Sequence, residues 1–128
     1  MTEHPIATWH RLVKSQDPAG LNTLIDEAAV FYSPVVYAPQ AGRRLVVMYL
    51  SAAFKVFFGP DFRYVREIIG PNDAVLEFET ELDGVVVNGV DLIRWNDAGR
   101  ITEFKVMLRP VKALQAVQQR MAVLLQGA

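Results

Sequence analysis

Few side chains in this chain could do chemistry. There is no cysteine and there are only two histidines, His4 and His10, so thiolate zinc centres, cysteine nucleophiles and disulfide scaffolds are excluded. No His, Asp and Glu spacing suits a metal and no glycine-rich phosphate loop follows a strand, so no metal or organic cofactor is expected. The carboxylates remain. Asp17 precedes Pro18 as a helix cap would, Glu77, Glu79 and Glu81 alternate along one strand face, and Asp83 and Asp97 stand in turns before glycine. Asp91 is left over. It lies in a period-two run, Val85 to Trp95, on the face it shares with Ile93 and Trp95 and opposite Val90, Leu92 and Arg94. A carboxyl on an apolar face has three readings: a satisfied core residue bonded to Tyr, Trp or backbone groups, a ligand contact, or a catalytic acid or base. Burial would raise its pKa and leave a neutral donor suited to a ligand carbonyl.

The elements that must hold these residues follow from periodicity. Ile6, Trp9, Leu12 and Val13 recur at helical spacing through Ile6–Gln16, with Arg11, Lys14 and Gln16 on the wet face. Asp17-Pro18 opens a short second helix carrying Leu21, Leu24 and Ile25 inward. A strand over Ala29–Ser33 ends at Pro34, and an ordered loop runs to Gly42. Arg43–Phe58 reads as a helix buried on nearly every side, with Arg44, Ser51 and Lys55 as a narrow polar stripe. After Gly59-Pro60 the period changes to two. Strands are expected at Phe62–Ile69, around Leu76 to Leu82, at Val85–Trp95 and at Ile101–Leu108, joined by tight turns into a meander. Pro110 opens a last helix with Leu114, Val117, Met121 and Leu124 on its apolar stripe. The class is α+β, a curved antiparallel sheet wrapped by helices into a cone with an apolar pocket at its mouth.

The 128 residues, 52% of them apolar, suit one domain spanning 1–128. A formal net charge of −1 leaves no electrostatic footprint for nucleic acid or an anionic membrane. No apolar stretch approaches the roughly 20 residues of a membrane span, and Met1 to Pro5 lacks an export signal, so a cytoplasmic location is expected.

Three segments together carry a family resemblance: Asp17-Pro18-Ala19-Gly20-Leu21 after the first helix, Ala29-Val30-Phe31-Tyr32-Ser33-Pro34 as the first strand, and the hairpin Gly89 to Ile101. The chain resembles the nuclear transport factor 2-like superfamily, which includes ketosteroid isomerases, SnoaL-like polyketide cyclases and limonene-epoxide hydrolases. The resemblance covers nearly the whole chain. It implies the cone-shaped fold, an apolar pocket and a homodimer through the sheet, but not one reaction. Against the isomerases, Asp91 stands at the position of the oxyanion-hole aspartic acid, Ser33 at that of the base and Trp9 at that of the tyrosine. A neutral serine cannot abstract a carbon-bound proton without a partner base, and an indole donates but does not accept. The Arg-x-Asp pair of the epoxide hydrolases is missing. So is the last-strand acid they share with the cyclases, since Phe104 to Arg109 holds no carboxylate.

If Asp91 faces into the cone, as the resemblance implies, strand parity puts Ile93 and Trp95 there with it, and the neighbouring strands add Leu76, Phe78, Thr80, Phe104, Val106 and Leu108. Trp9, Tyr32, Ser33, Val35, Tyr37, Tyr49 and Phe54 join them from helices and loop. Trp9, Phe78 and Phe104 suit core packing as well as ligand lining. His10 should face away, being about 100° round the helix from Trp9. The opposite sheet face should pair Glu77, Glu79 and Glu81 with Arg94, Lys105 and Arg109 and form a dimer interface. Two functions fit: a protein that binds, or isomerises, cyclises or dehydrates, a small apolar molecule through Asp91, and an interaction module whose cone is filled by its own side chains.

Overall fold

The structure, a computed structural model, describes residues 3–126. Residues 1–2 and 127–128, the outer ends of the expected domain, lie outside it. Helix α1, Pro5–Ser15, starts on Pro5, whose fixed φ suits a first helical position, and His4 Nδ1 accepts from the Ile6 amide. It ends at Gln16, which turns left-handed (φ 55°). Ile6, Trp9, Leu12 and Val13 bury its inner stripe.

The second helix is shorter than its sequence suggests. Pro18–Gly20 forms a 3-10 turn, α2 is the single turn Leu21–Leu24, and Ile25 already begins strand β1, Ile25–Tyr32. Asp17 makes no side-chain cap bond, so the cap reading is corrected. Two residues, Gln40–Ala41, form β2, and α3 spans Arg43–Phe57. Strands β3 (Arg63–Ile69), β4 (Asp73–Leu82), β5 (Val85–Trp95) and β6 (Ile101–Arg109) follow, and α4 closes the chain at Val111–Gln126.

The sheet is curved and unclosed, in the order β2-β1-β6-β5-β4-β3. The β3 to β6 meander is antiparallel as expected, whereas β1 lies parallel to β6, with Phe31 opposite Phe104. Long intervening elements permit a parallel pair there. In β4 the buried residues Ala74, Leu76, Phe78, Thr80 and Leu82 alternate without a break, and in β5 Val87, Gly89, Asp91, Ile93 and Trp95 do the same. Register sets Asp91 between Leu76 of β4 and Val106 of β6. Gly89 lies opposite Phe78, and a Cβ there would stand 2.6 Å from both the Phe78 ring and Leu108. Only glycine lets these side chains meet over the sheet.

The outer face differs from expectation in its ion pairs. Glu77 pairs with Arg66 (3.2 Å) and Glu79 with Arg63 (2.7 Å), both on β3. Among the described residues, none of the three glutamates pairs with Arg94, Lys105 or Arg109. Register explains this: Arg94 stands opposite Asp73 and Glu103, Lys105 opposite Leu92, and Arg109 opposite Asn88. No helix among the described residues is long and apolar enough to cross a membrane.

Candidate functional site

The cone is not filled by its own side chains. A cavity of about 240 Å³ remains between the inner sheet face, α1, α3 and α4. Its mouth lies where exposed wall residues stand, at Val36 of the loop after β1 and at Gln118 and Ala122 of α4. Of the residues expected in the cone, Trp9, Ser33, Val35, Tyr49, Phe78, Asp91, Phe104 and Val106 are on the wall.

The others are elsewhere, each for a local reason. Phe54, Leu76 and Ile93 share the inward direction but are enclosed in the core, Phe54 standing edge-on to Trp9. Thr80 and Trp95 are each four residues along the strands from the Asp91 level, roughly 13 Å away. Thr80 donates to the Phe57 carbonyl (3.4 Å) and Trp95 packs against His4. Tyr32 is half-buried beneath the Lys105 ammonium, in an adjoining pocket that Leu108 also lines and that shares Ser33, Pro34 and Val106 with the cavity wall. Tyr37 is 98% exposed, between Pro34 and Pro39 on the loop. Among the described residues no three of His, Cys, Asp and Glu come together as metal ligands would.

The cavity is aromatic and apolar over most of its wall, and periodicity did not reveal much of it: Phe31, Leu50, Phe57, Phe58, Phe62 and, from α4, Val117, Met121 and Leu125. Among the described residues, Asp91 is the only carboxyl on this wall. Its Oδ2 accepts from Tyr64 OH (2.9 Å), and Tyr64 OH accepts from Trp9 Nε1 (2.8 Å). Trp9 therefore offers the cavity its ring, because its one N–H is already bonded. Burial pushes the Asp91 pKa up to about 7, and the Tyr64 bond, which favours the carboxylate, pulls the other way. Burial, and next the nearby Asp91 charge, raises Tyr64 well above the usual tyrosine range. The neutral acid of Asp91 is thus a populated form near neutral pH.

Tyr64 is the functional candidate that sequence reading passed over. A bulge between Tyr64 and Arg66 breaks the period of β3, so that Tyr64 faces Phe78 while Arg66 faces Glu77. The available signal was its parity with Phe62, which does line the cavity. His10 lies outside the wall, as expected. Its ring stands edge-on to Tyr64 (5.1 Å) and its Nε2 pairs with Glu67.

Ser33 brings a second donor. Its Oγ accepts from the amides of Val35 (3.0 Å) and Val36 (3.2 Å), so both lone pairs are engaged and its hydrogen is free to donate. It cannot act as a base while those bonds stand.

Residues 6–104 match the family model of the SnoaL-like domain. Among solved structures, a steroid delta-isomerase from Pseudomonas aeruginosa is 38% identical, with a TM-score of 0.91 over 96% of this chain and 90% of that one. A protein with a cystatin-like fold from Silicibacter pomeroyi is 32% identical, with a TM-score of 0.85 over 93% and 83%. A nuclear transport factor 2-like protein of unknown function from Mesorhizobium loti is 28% identical, with a TM-score of 0.72 over 83% and 88%. No curated protein matches the chain.

Proposed function

The chain belongs to the SnoaL-like domain family within the nuclear transport factor 2-like superfamily, and from this premise we propose that it binds a small, largely apolar molecule carrying a carbonyl, with Asp91 as the donor to that oxygen. One observation carries the reading: the only carboxyl that the described residues bring to an aromatic wall is buried, held from behind by Tyr64, and shifted to a pKa of about 7. A neutral acid in an apolar site gives up little hydration when it meets a carbonyl, whereas water cannot compete for it there. Ser33 supplies a second hydrogen at the loop side.

Size narrows the class. A cavity of about 150 Å³ holds benzene. By that scale 240 Å³ suits a molecule of roughly ten non-hydrogen atoms, the size of an indanone. A four-ring steroid, the substrate class in the name of the Pseudomonas relative, would have to extend through the mouth between Val36 and α4. Isomerisation by separate base and acid residues is not supported, since Ser33 has no lone pair to spare and, among the described residues, the wall carries no second carboxylate. Any isomerisation, cyclisation or dehydration would depend on Asp91 both giving and taking the proton.

A homodimer through the sheet and a cytoplasmic location belong to the same proposal. The dimer is supported by the apolar side chains standing open on the outer face, Val86 (62% exposed), Ile68 (61%) and Met107 (52%), among the Arg63–Glu79 and Arg66–Glu77 pairs.

Calorimetric titration with indanone and with indane, its analogue without oxygen, tests the reading. At about pH 5.5 indanone should bind at least about ten-fold more tightly, a difference of about 1.4 kcal/mol for one hydrogen bond. Equal affinities, or no binding of either, would overturn it.

A further inference from the structure

Trp9 Nε1, Tyr64 OH and Asp91 Oδ2 stand in a line of two hydrogen bonds behind the cavity wall. The direction of that line follows from chemistry. An indole N–H only donates, so Tyr64 is the acceptor of the first bond. The phenol has one hydrogen, and among the described residues Asp91 Oδ2 is the only acceptor it reaches. The reverse assignment, with the acid proton on Oδ2 and donated to Tyr64, would strand the phenol hydrogen without a partner, which is costly inside a protein. Oδ2 therefore accepts in both protonation states. Oδ1 takes no hydrogen bond from the described residues. It is not sealed in the core either, since no described buried side-chain oxygen lacks a partner, and Asp91 is part of the cavity wall.

We propose that Tyr64 is a positioning residue: by donating to Oδ2 it leaves Oδ1 as the atom that holds the acid's proton and meets the ligand. The inference rests on the cavity being a ligand site and adds the direction of its one acid group. The protonated site offers a hydrogen to a carbonyl oxygen, and the ionised site offers a lone pair to a hydroxyl. One cavity thus prefers ketones in acid and phenols or alcohols in base. The ionisable groups around it are few. Among the described residues, Tyr64 alone is bonded to Asp91, Tyr49 of α3 shares the cavity wall, and Glu67 of β3 and His10 of α1 adjoin Tyr64 and pair with each other.

Asp91→Asn is the direct test, because an amide has one accepting and one donating end. If Tyr64 selects the accepting end, the NH₂ faces the cavity. The variant should then bind indanone with a Kd that changes less than about three-fold between about pH 5.5 and 8.5, and bind hydroxyindane, a phenol, at least about ten-fold more weakly than the unaltered protein does at the higher pH. A variant that prefers the phenol over the ketone would overturn the proposal, since Tyr64 would then be the acceptor. A second measurement needs no ligand. Carbon NMR of the Asp91 carboxyl should titrate near 7 in the unaltered protein, and Tyr64→Phe should move the midpoint upward because a bond that favours the carboxylate is lost. A midpoint that stays or falls overturns the proposal whether or not either probe binds. Failure of both probes on the unaltered protein, with the upward shift present, counts against the ligand reading alone.

Discussion

Raising the pH should loosen this fold through one residue. Asp91 titrates at about 7 in the folded protein, pushed up by burial from an ordinary 3.8. Between these two values the unfolded chain has released the proton that the folded chain still holds. The folded state binds more protons, so its stability falls as pH rises. The contribution is fully present below the unfolded pKa and is lost as pH passes through about 7. Each pH unit inside the window is worth about 1.4 kcal/mol. Because the slope halves at the folded pKa, the change from about pH 5 to about pH 7 amounts to about 2 kcal/mol, a large share of the 5–15 kcal/mol that holds a domain of this size together. Urea unfolding, followed by the fluorescence of Trp9 and Trp95, would be run at intervals across this range on the unaltered protein and on Asp91→Asn. Subtracting the two curves removes every contribution that both proteins share. The difference should change by about 2 kcal/mol in the direction that favours the variant at higher pH. Parallel curves would mean that Asp91 is already ionised inside the fold, and the donor role would fall with that result.

The remaining predictions concern the supports of the site. Trp9→Phe removes the N–H that Tyr64 accepts and part of the ring that meets Phe54, Phe58 and Phe104; it should cost about 1–3 kcal/mol in urea unfolding. Gly89→Ala places a Cβ 2.6 Å from Phe78 and Leu108 and 2.8 Å from the Met107 carbonyl, and should destabilise by about 1–3 kcal/mol, read as a lower melting temperature. Shortening Leu108 should recover only part of that loss, because the backbone contact remains. On the outer face, Met107→Glu adds a charge at a half-exposed apolar position. Light scattering should report about twice the 14.3 kDa chain mass before the change and a monomer after it. A monomer in both cases would refute the interface.

How far the sequence could be read depended on where the backbone stayed regular. In β4 and β5 the alternation runs without a break past Asp91, so once the family resemblance turned that carboxyl inward, parity carried Ile93 and Trp95 to the same face. In β3 it could not. Phe62, Tyr64, Val65, Ile68 and Ile69 are apolar or aromatic on both parities, and the bulge after Tyr64 changes the face partway along. The bond that matters joins Tyr64 to a residue 27 positions away, and no local period carries that information. The same limit separates wall from core. Leu76 and Asp91 are register partners facing the same side, yet one is enclosed and the other meets the cavity. The difference comes from what covers each position, which depends on the packing of α3 and α4 over the sheet. The ion pairs failed for a related reason: charge alternation showed that Glu77 and Glu79 needed partners, but not that β3, rather than β5 or β6, would supply them.

The direction of the hydrogen bonds explains why so apolar a cavity can still discriminate. Ser33 has both lone pairs engaged by the amides of its own turn, which leaves it only a hydrogen to give. Asp91 has one oxygen engaged by Tyr64, and Tyr64 is oriented by Trp9, a side chain with no acceptor to offer. Ser33 is thus held in one sense by amides that can only donate, and Asp91 by a phenol whose single hydrogen has no other acceptor among the described residues. A tyrosine in place of Trp9 could donate or accept, and the line behind Asp91 could then run either way. The indole at this position therefore specifies more than packing: it makes the acid end of the line predictable, and with it the chemistry that the cavity presents below the titration of Asp91.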